Sequence, residues 1–376
     1  MLSKQLITNE KISKAGIETR NRRKKMICKT YCVKIVKNKL SKSRRRELEN
    51  LFVQANYIYN ACVENVNNYN PKDNTILVKV GDKFEERSLT LSVQIRQAIR
   101  DCYINNVKAL SGLEKRGKKV GKPKFKSYSN SIPLKQYGKT YKIKDNNIRV
   151  QNFGWFRVRG LEQIPKNCEY ANANLVRKPS GYYVYITVYI PKEVEVKTGK
   201  NIGIDFGISN TITTSSGEFF NINIPETKGV ALAYKRLSKA VPGSNNYTKC
   251  LNKAQRAYEK VANARKDKAN KLVYYLVEEN DVIVIQNDNF YSWYKVSYFK
   301  KTIRYSALTF VKMALRNSDK TIVIHRTFPS TKLCPQCNNL NLQTLKKRDY
   351  GCVYCGYHHD NRDIKAAIVL LNQALN

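Results

Sequence analysis

Asn201-Ile-Gly-Ile-Asp205-Phe-Gly-Ile208 is the stretch on which the fold turns. Its two-residue period sends Ile202, Ile204 and Phe206 to one face and Gly203, Asp205 and Gly207 to the other. That is a buried strand carrying a carboxylate between two positions without side chains, which leaves room for a metal ion and a phosphate to approach. Thr211-Ile-Thr-Thr214, Ser215-Ser-Gly217 and Glu218-Phe-Phe220 then read as a hairpin continuing the sheet. A basic helical stretch from about Lys249 to Val277 leads to Asp281-Val-Ile-Val-Ile285, a second buried strand ending at Gln286. Arg362-Asp363-Ile-Lys-Ala366-Ala367 opens an apolar helix on which Ala366, Leu370 and Ala374 share the face of Asp363. A strand Asp, a strand-end acid and a helix Asp form the layout of a two-metal phosphodiester site. Here the middle position holds an amide.

Cys334-Pro-Gln-Cys337 and Cys352-Val-Tyr-Cys355 are two CxxC knuckles with fourteen residues between them. Each knuckle puts two thiolates on one tight turn, and two such turns complete a tetrahedral zinc site. A redox pair would need only one CxxC in a thioredoxin-like setting. Four thiolates close the shell, so His358 and His359 read as surface or phosphate-contacting residues rather than ligands. The stretch between the knuckles, Leu342 to Tyr350, carries Lys346-Lys347-Arg348 and reads as a ribbon hairpin. The other six cysteines (Cys28, Cys32, Cys62, Cys102, Cys168 and Cys250) are scattered and read as reduced, buried small residues.

Across 376 residues, 69 Lys+Arg face 29 Asp+Glu, a formal net charge of +40. Such an excess repels itself unless a polyanion neutralises it. The cations are distributed: Arg20-Asn21-Arg22-Arg23-Lys24-Lys25, then Lys42-Ser43-Arg44-Arg45-Arg46, then a run of lysines from Lys115 to Lys126. Interleaved with 25 tyrosines, they suit phosphate contact and base stacking along a long nucleic acid. No long uncharged apolar run reads as a membrane span, and the polar, basic N-terminus lacks the apolar middle of a signal peptide. The expectation is a cytoplasmic, nucleoid-associated prokaryotic protein with nucleic acid as partner and no membrane.

From about Cys28 to Leu375, the chain resembles TnpB, the transposon-encoded RNA-guided nuclease family related to type V CRISPR effectors. The resemblance is carried by Tyr57-Ile-Tyr59-Asn60, Gly121-Lys-Pro-Lys-Phe-Lys126, Gly203-Ile-Asp205-Phe-Gly207, Asn263-Ala-Arg-Lys266, Phe328-Pro-Ser330-Thr-Lys332 before the first knuckle, and Arg362-Asp363-Ile-Lys-Ala-Ala367. It implies an α+β multidomain chain. A wedge-like β-barrel (26–45 and 125–196) would carry an inserted helical recognition lobe (46–124), which holds the amphipathic stretches Arg44–Val63 and Leu89–Ala109. A RuvC (RNase H-like) α/β domain (197–330 and 358–376) would follow, with an inserted zinc ribbon (331–357). Residues 1–25 would be a basic extension, and whether it folds before RNA arrives is left open by the sequence. The implied partners are a guide RNA and target double-stranded DNA with a short adjacent motif. Arg44, Arg45, Tyr57, Asn60, Lys122, Lys124, Lys126 and Arg265 are the implied nucleic-acid contacts, and zinc the structural metal.

The catalytic positions of that family fall on Asp205, Gln286 and Asp363. Where the family carries Glu in an Ile-Glu-Asp-Leu context, this chain has Ile285-Gln286-Asn287-Asp288. Gln286 keeps a carbonyl ligand but loses the negative charge that offsets two cations, so Mg²⁺ binding should weaken. Asp288 lies two residues further, about 6.6 Å along a strand, whereas Mg²⁺ demands oxygens at about 2.0–2.1 Å, so no rescue by Asp288 is expected. Lys365, where the family commonly has Asn, is expected to bring a cation near Asp363. With Asn287 and Lys365 also departing, Gln286 reads as natural rather than introduced. The resemblance is therefore strongest to the nuclease-dead TnpB-like repressors (TldR). An active endonuclease, with Gln286 introduced or compensated, remains the alternative. A guide-free zinc-ribbon nucleic-acid binder is the second.

Overall fold

The computed structural model describes residues 14–192, 197–296, 298–342 and 348–375. The chain divides into two compact units, Met1–Val194 and Glu195–Asn376. Residues 343–347, with Lys346 and Lys347 of the basic run between the knuckles, lie outside the described residues.

In the first unit, residues 14–24 are helical. The sequence left open whether the basic N-terminal extension folds, and this part of it is a helix. Arg22 and Arg23 close on Glu169 at 2.8 and 2.7 Å and supply the anchor that composition could not reveal. Strand β1 (Met26–Ile35) follows, then a 24-residue helix, Lys42–Asn65, capped by Ser41 accepting from the Arg44 amide. A hairpin of β2 (Thr75–Val80) and β3 (Lys83–Ser88) leads to a second helix, Val93–Glu114, capped by Ser92. The remaining strands are β4 (Ser131–Leu134), β5 (Tyr141–Lys144), β6 (Asn147–Val150), β7 (Gly154–Arg159), β8 (Glu169–Lys178) and β9 (Gly181–Pro191). They build one antiparallel sheet in the order β4-β8-β9-β1-β7-β6-β5. Its end strands, β4 and β5, do not pair with each other, so the wedge-like barrel expected from the sequence is a curled half-barrel. Leu134, Ile148, Phe156, Leu175 and Val184, from five of its strands, still share one core with Leu48, Phe52 and Ile95 of the two helices.

The second unit is built on β10 (Asn201–Phe206), β11 (Ile212–Thr214), β12 (Phe219–Phe220), β13 (Val282–Gln286) and β14 (Thr321–Ile324), in the order β12-β11-β10-β13-β14. The first three strands form an antiparallel meander, and β13 and β14 run parallel to β10. This 3-2-1-4-5 order is the RNase H-type arrangement. A 35-residue helix, Asn245–Glu279, makes the long crossover between β12 and β13 and buries Ala269, Leu272 and Leu276 against the sheet. The C-terminal helix, Arg362–Leu375, lies so close to β10 that a Cβ on Gly203 would meet the Ala367 carbonyl oxygen at 2.0 Å. A Cβ on Gly207 would meet the Asn210 carbonyl oxygen at 2.4 Å. Gly203 therefore serves helix packing and Gly207 a turn, and Gly207 also lines the cleft that holds Asp205.

Of the six scattered cysteines only Cys62 is buried; Cys168 and Cys250 are intermediate, and Cys28, Cys32 and Cys102 are exposed. Strand alternation explains two of these: Val33 and Ile35 take the core face of β1, leaving Cys28 and Cys32 on the other.

Candidate functional site

Asp205 on β10, Gln286 at the end of β13, Asp288 just beyond it and Asp363 in the first turn of the C-terminal helix line one cleft of 460 Å³. Parallel pairing of Ile204 with Ile285 brings the Asp205 and Gln286 ends of the two strands side by side. Burial pushes the Asp205 carboxyl well above the usual carboxylate range. Asp363 and Asp288 add to the shift, and Arg362 and Lys365 oppose it. Burial lifts Asp288 to about 6, with Lys312 opposing. Asp288, set aside on the sequence as too distant, thus stands in the same cleft and in electrostatic reach of Asp205.

Gln286 does not reach into the cleft as a free ligand. Its amide nitrogen donates to the backbone carbonyls of Phe328, Arg326 and His325 at 2.7, 3.2 and 3.4 Å, and its oxygen accepts from Ser330 Oγ at 3.0 Å. Both ends of the amide are used and the residue is buried. A carboxylate has no hydrogen to give those carbonyls, so the surroundings suit glutamine and oppose glutamate. Asp363 is held by Arg348 at 3.4 Å and Arg362 at 3.6 Å, and Arg348 also donates to Ser209 Oγ at 3.1 Å.

Lys365 departs from expectation. Its ammonium turns to the segment entering the ribbon and donates to the carbonyls of Ser330, Thr331 and Leu333 at 3.0, 2.7 and 3.0 Å, over the Tyr350 ring at 3.9 Å. Fully buried and so partnered, it serves as a cap on three carbonyls rather than as a counter-ion to Asp363. Burial lowers its pKa to about 8.

The four knuckle thiols lie within 4.8 Å of one another, with Cys334–Cys355 and Cys337–Cys352 both at 3.6 Å. A tetrahedron of Zn–S bonds of about 2.3 Å has edges of about 3.8 Å, while a disulfide needs about 2.05 Å. The cluster fits zinc. Asn341, buried, donates to Cys352 Sγ at 3.3 Å and to the Tyr350 hydroxyl at 2.8 Å, orienting the shell from outside. His358 and His359 are not part of it: His358 lies 3.5 Å from Asp360, and His359 accepts from the Asn361 amide. Among the described residues, the four cysteines are the one metal-competent His/Cys/Asp/Glu group. Asp205, Asp288 and Asp363 share a cleft without converging on a common point. With an amide in the middle and two arginines on Asp363, this donor set does not fit a pair of Mg²⁺ ions.

The expected nucleic-acid contacts divide. Lys122 and Lys124 are exposed. Asn60 exchanges hydrogen bonds with the backbone of Lys126, both at 2.9 Å, and the Lys126 ammonium lies 3.7 Å from the Tyr59 ring. The Tyr57–Asn60 and Gly121–Lys126 blocks are therefore locked together, with Tyr57 packed on the core. Arg44 stacks 4.4 Å over Phe153, and Arg45 donates to the Lys37 carbonyl. Arg265 is buried and donates to the Ile224 carbonyl at 2.9 Å. Its place on a basic helix concealed that. Asn341 was missed because neither its type nor its spacing marks it.

Residues 184–289 match the OrfB_IS605 family, described as "Probable transposase", and residues 305–370 match the Cas12f1-like TNB domain. The chain is similar to two proteins described as putative RNA-guided DNA endonucleases. It is 28% identical over 228 residues to a "Putative RNA-guided DNA endonuclease" of Streptomyces pristinaespiralis, covering 58% of this chain and 56% of that one. It is 26% identical over 178 residues to the "Putative RNA-guided DNA endonuclease InsQ" of Escherichia coli K12, covering 45% and 43%. The chain thus spans about half the length of these relatives. A cryo-EM structure of a Cas12f1–sgRNA–target DNA complex aligns over 93% of this chain and 100% of that one at 15% identity. Its TM-score of 0.30 is too low to bear on the fold. Among the described residues no helix is long and apolar enough to cross a membrane.

Proposed function

We propose that this protein is an RNA-guided DNA-binding protein that occupies guide-matched DNA without cutting it, and so represses transcription from the occupied site. The observation that carries this reading is Gln286: an amide whose nitrogen serves three backbone carbonyls, at the position where the related nucleases would hold an acid. The arginines on Asp363 support it. The net charge of +40 supports a long polyanionic partner. Guide RNA and double-stranded DNA with a short adjacent motif are the partners proposed, by homology to proteins described as RNA-guided DNA endonucleases. Zinc would be structural and Mg²⁺ would have no role in the cleft.

The test is sequencing of the RNA that co-purifies with the full chain, followed by gel-shift on DNA matched to it. A discrete RNA and matched-DNA binding that is lost when the guide is scrambled are expected. RNA-free protein that binds one fixed DNA sequence would overturn the reading and favour a guide-free binder.

A second reading, an active guide-dependent endonuclease, has one observation in its favour: Asp288 lines the cleft and acts on Asp205. It requires Mg²⁺-dependent cleavage that Asp288→Asn abolishes.

A further inference from the structure

The seven-stranded sheet has one face packed on its core and one turned away from it. On β9, Tyr182, Val184, Ile186 and Val188 are buried, which sends Tyr183, Tyr185 and Tyr189 to the opposite face, all half-exposed. The β1 residues paired with these tyrosines are Lys34, Cys32 and Cys28, and all three are exposed. On β7, Trp155, Arg157 and Arg159 are exposed as well, with Arg159 paired to Lys34. The tyrosine rings are already dressed with cations. Arg23 lies 4.5 Å from Tyr189, Lys34 lies 5.5 Å from Tyr183, and Lys178 lies 5.1 Å from both Tyr183 and Tyr185.

Charge decides what such a face can take. Across the seven strands there is a single carboxylate, Glu169, and Arg22 and Arg23 already hold it. A protein partner would need a dense acidic surface and would leave the rings without a specific role. A polyanion with flat apolar groups uses both features. At about 3.4 Å per residue, Tyr183 and Tyr185 lie about 6.8 Å apart and Tyr189 about 13.6 Å beyond Tyr185. Two neighbouring bases of an extended chain can therefore meet the first pair and a later base the third, while their phosphates meet Lys and Arg. A duplex hides its base faces and would meet only the cations.

We propose that this outward sheet face is a stacking platform for an unpaired segment of RNA, with bases on Tyr183, Tyr185 and Tyr189. The choice of RNA over DNA rests on the guide-RNA reading above; the single-stranded form rests on the face itself.

Cys28 and Cys32 lie on this face and serve as reporters, with the exposed Cys102 on the 93–114 helix as a control away from it. Full-length protein with its co-purified RNA is pulsed with N-ethylmaleimide before and after ribonuclease treatment, and adducts are quantified by mass spectrometry. Cys28 and Cys32 are expected to be protected by RNA and released by the nuclease, with Cys102 reactive throughout. In parallel, a 12-nucleotide oligoadenylate RNA, the matching DNA oligomer and a 12-base-pair RNA duplex are titrated against three proteins: wild type, Y183A/Y185A and Y183F/Y185F. Removing two rings should weaken oligoadenylate binding about 100-fold, at about tenfold per ring, with the phenylalanine pair near wild type and the duplex unaffected.

Equal Cys28 reactivity with and without RNA, or an alanine pair that binds as wild type, overturns the platform while leaving the guide reading intact. DNA bound as tightly as RNA overturns the RNA assignment. Protein that neither carries RNA nor binds any of the probes overturns both.

Discussion

Replacing Gln286 by Glu tests whether the cleft lacks one carboxylate or has been rebuilt around an amide. The substitution keeps size and shape but turns a donor into an acceptor. Three contacts from Nε2, at 2.7, 3.2 and 3.4 Å, face carbonyl oxygens that a carboxylate repels. At about 0.5–1.5 kcal/mol net per bond, plus the penalty for a buried unsatisfied group, the loss should be about 2–4 kcal/mol at neutral pH. Ser330 still donates to the retained oxygen, which sets the lower figure. Burial and carbonyl dipoles raise the pKa of the new carboxyl, so its neutral form is the one the fold tolerates. When protonated it can donate one bond to Phe328. The deficit therefore grows as pH rises through the raised folded pKa and shrinks below the ordinary carboxylate range. Urea unfolding of both proteins at pH 5 and pH 8 measures it, and Mg²⁺-dependent cleavage of guide-matched DNA is scored beside it. The expected result is a Q286E protein that is weaker at pH 8 than at pH 5 relative to wild type, and that cuts nothing. A Q286E protein as stable as wild type, or one that cleaves, would refute the reasoning.

Other consequences are as direct. Because burial raises Asp288 to about 6, its ionised form is disfavoured by the fold, and this group makes stability fall as pH rises from about 4 to 6; urea titrations should find Asp288→Asn more stable than wild type at pH 7.5, by about 3 kcal/mol, and equal to it near pH 4. Lys365→Asn removes the ammonium that caps three carbonyls next to the Gln286 contacts, so a double-mutant cycle with Gln286→Ala should show coupling of about 0.5–2 kcal/mol; additive losses would separate the two clamps. Gly203→Ala forces a Cβ onto the Ala367 carbonyl and should cost about 3 kcal/mol, with hydrogen exchange rising over residues 362–375 first. Elemental analysis should find one zinc per chain. Its chelation should expose four thiols to a colorimetric thiol reagent and lower the thermal midpoint; an unchanged midpoint would contradict a structural role.

The second unit was the more legible of the two. Strict alternation around Asp205, two apolar strands and the CxxC pair each follow a short period, so strands, helix and cysteine cluster emerge where the residues place them. What the sequence could not give was direction. Lys365 looks like a cation beside Asp363, yet the helix turns it toward the ribbon approach. Gly203 looks like an opening, yet a helix fills it. Asp288 is distant along an ideal strand but lies past the end of β13, where the backbone is free to turn back to the cleft. In the first unit, the open sheet edge depends on pairings more than a hundred residues apart, which no local pattern encodes. Arg44 and Arg265 were given as nucleic-acid contacts by resemblance, while the structure uses their planar guanidinium groups for stacking and for capping a carbonyl.

The most direct test is a guided assay on the protein purified with its own RNA, scoring binding and strand cleavage on the same guide-matched DNA with Mg²⁺ present. Tight binding, lost on a scrambled target, with both strands intact after prolonged incubation is the expected outcome. Cleavage of either strand would show that Gln286 does not disable the cleft and would make the protein an active nuclease.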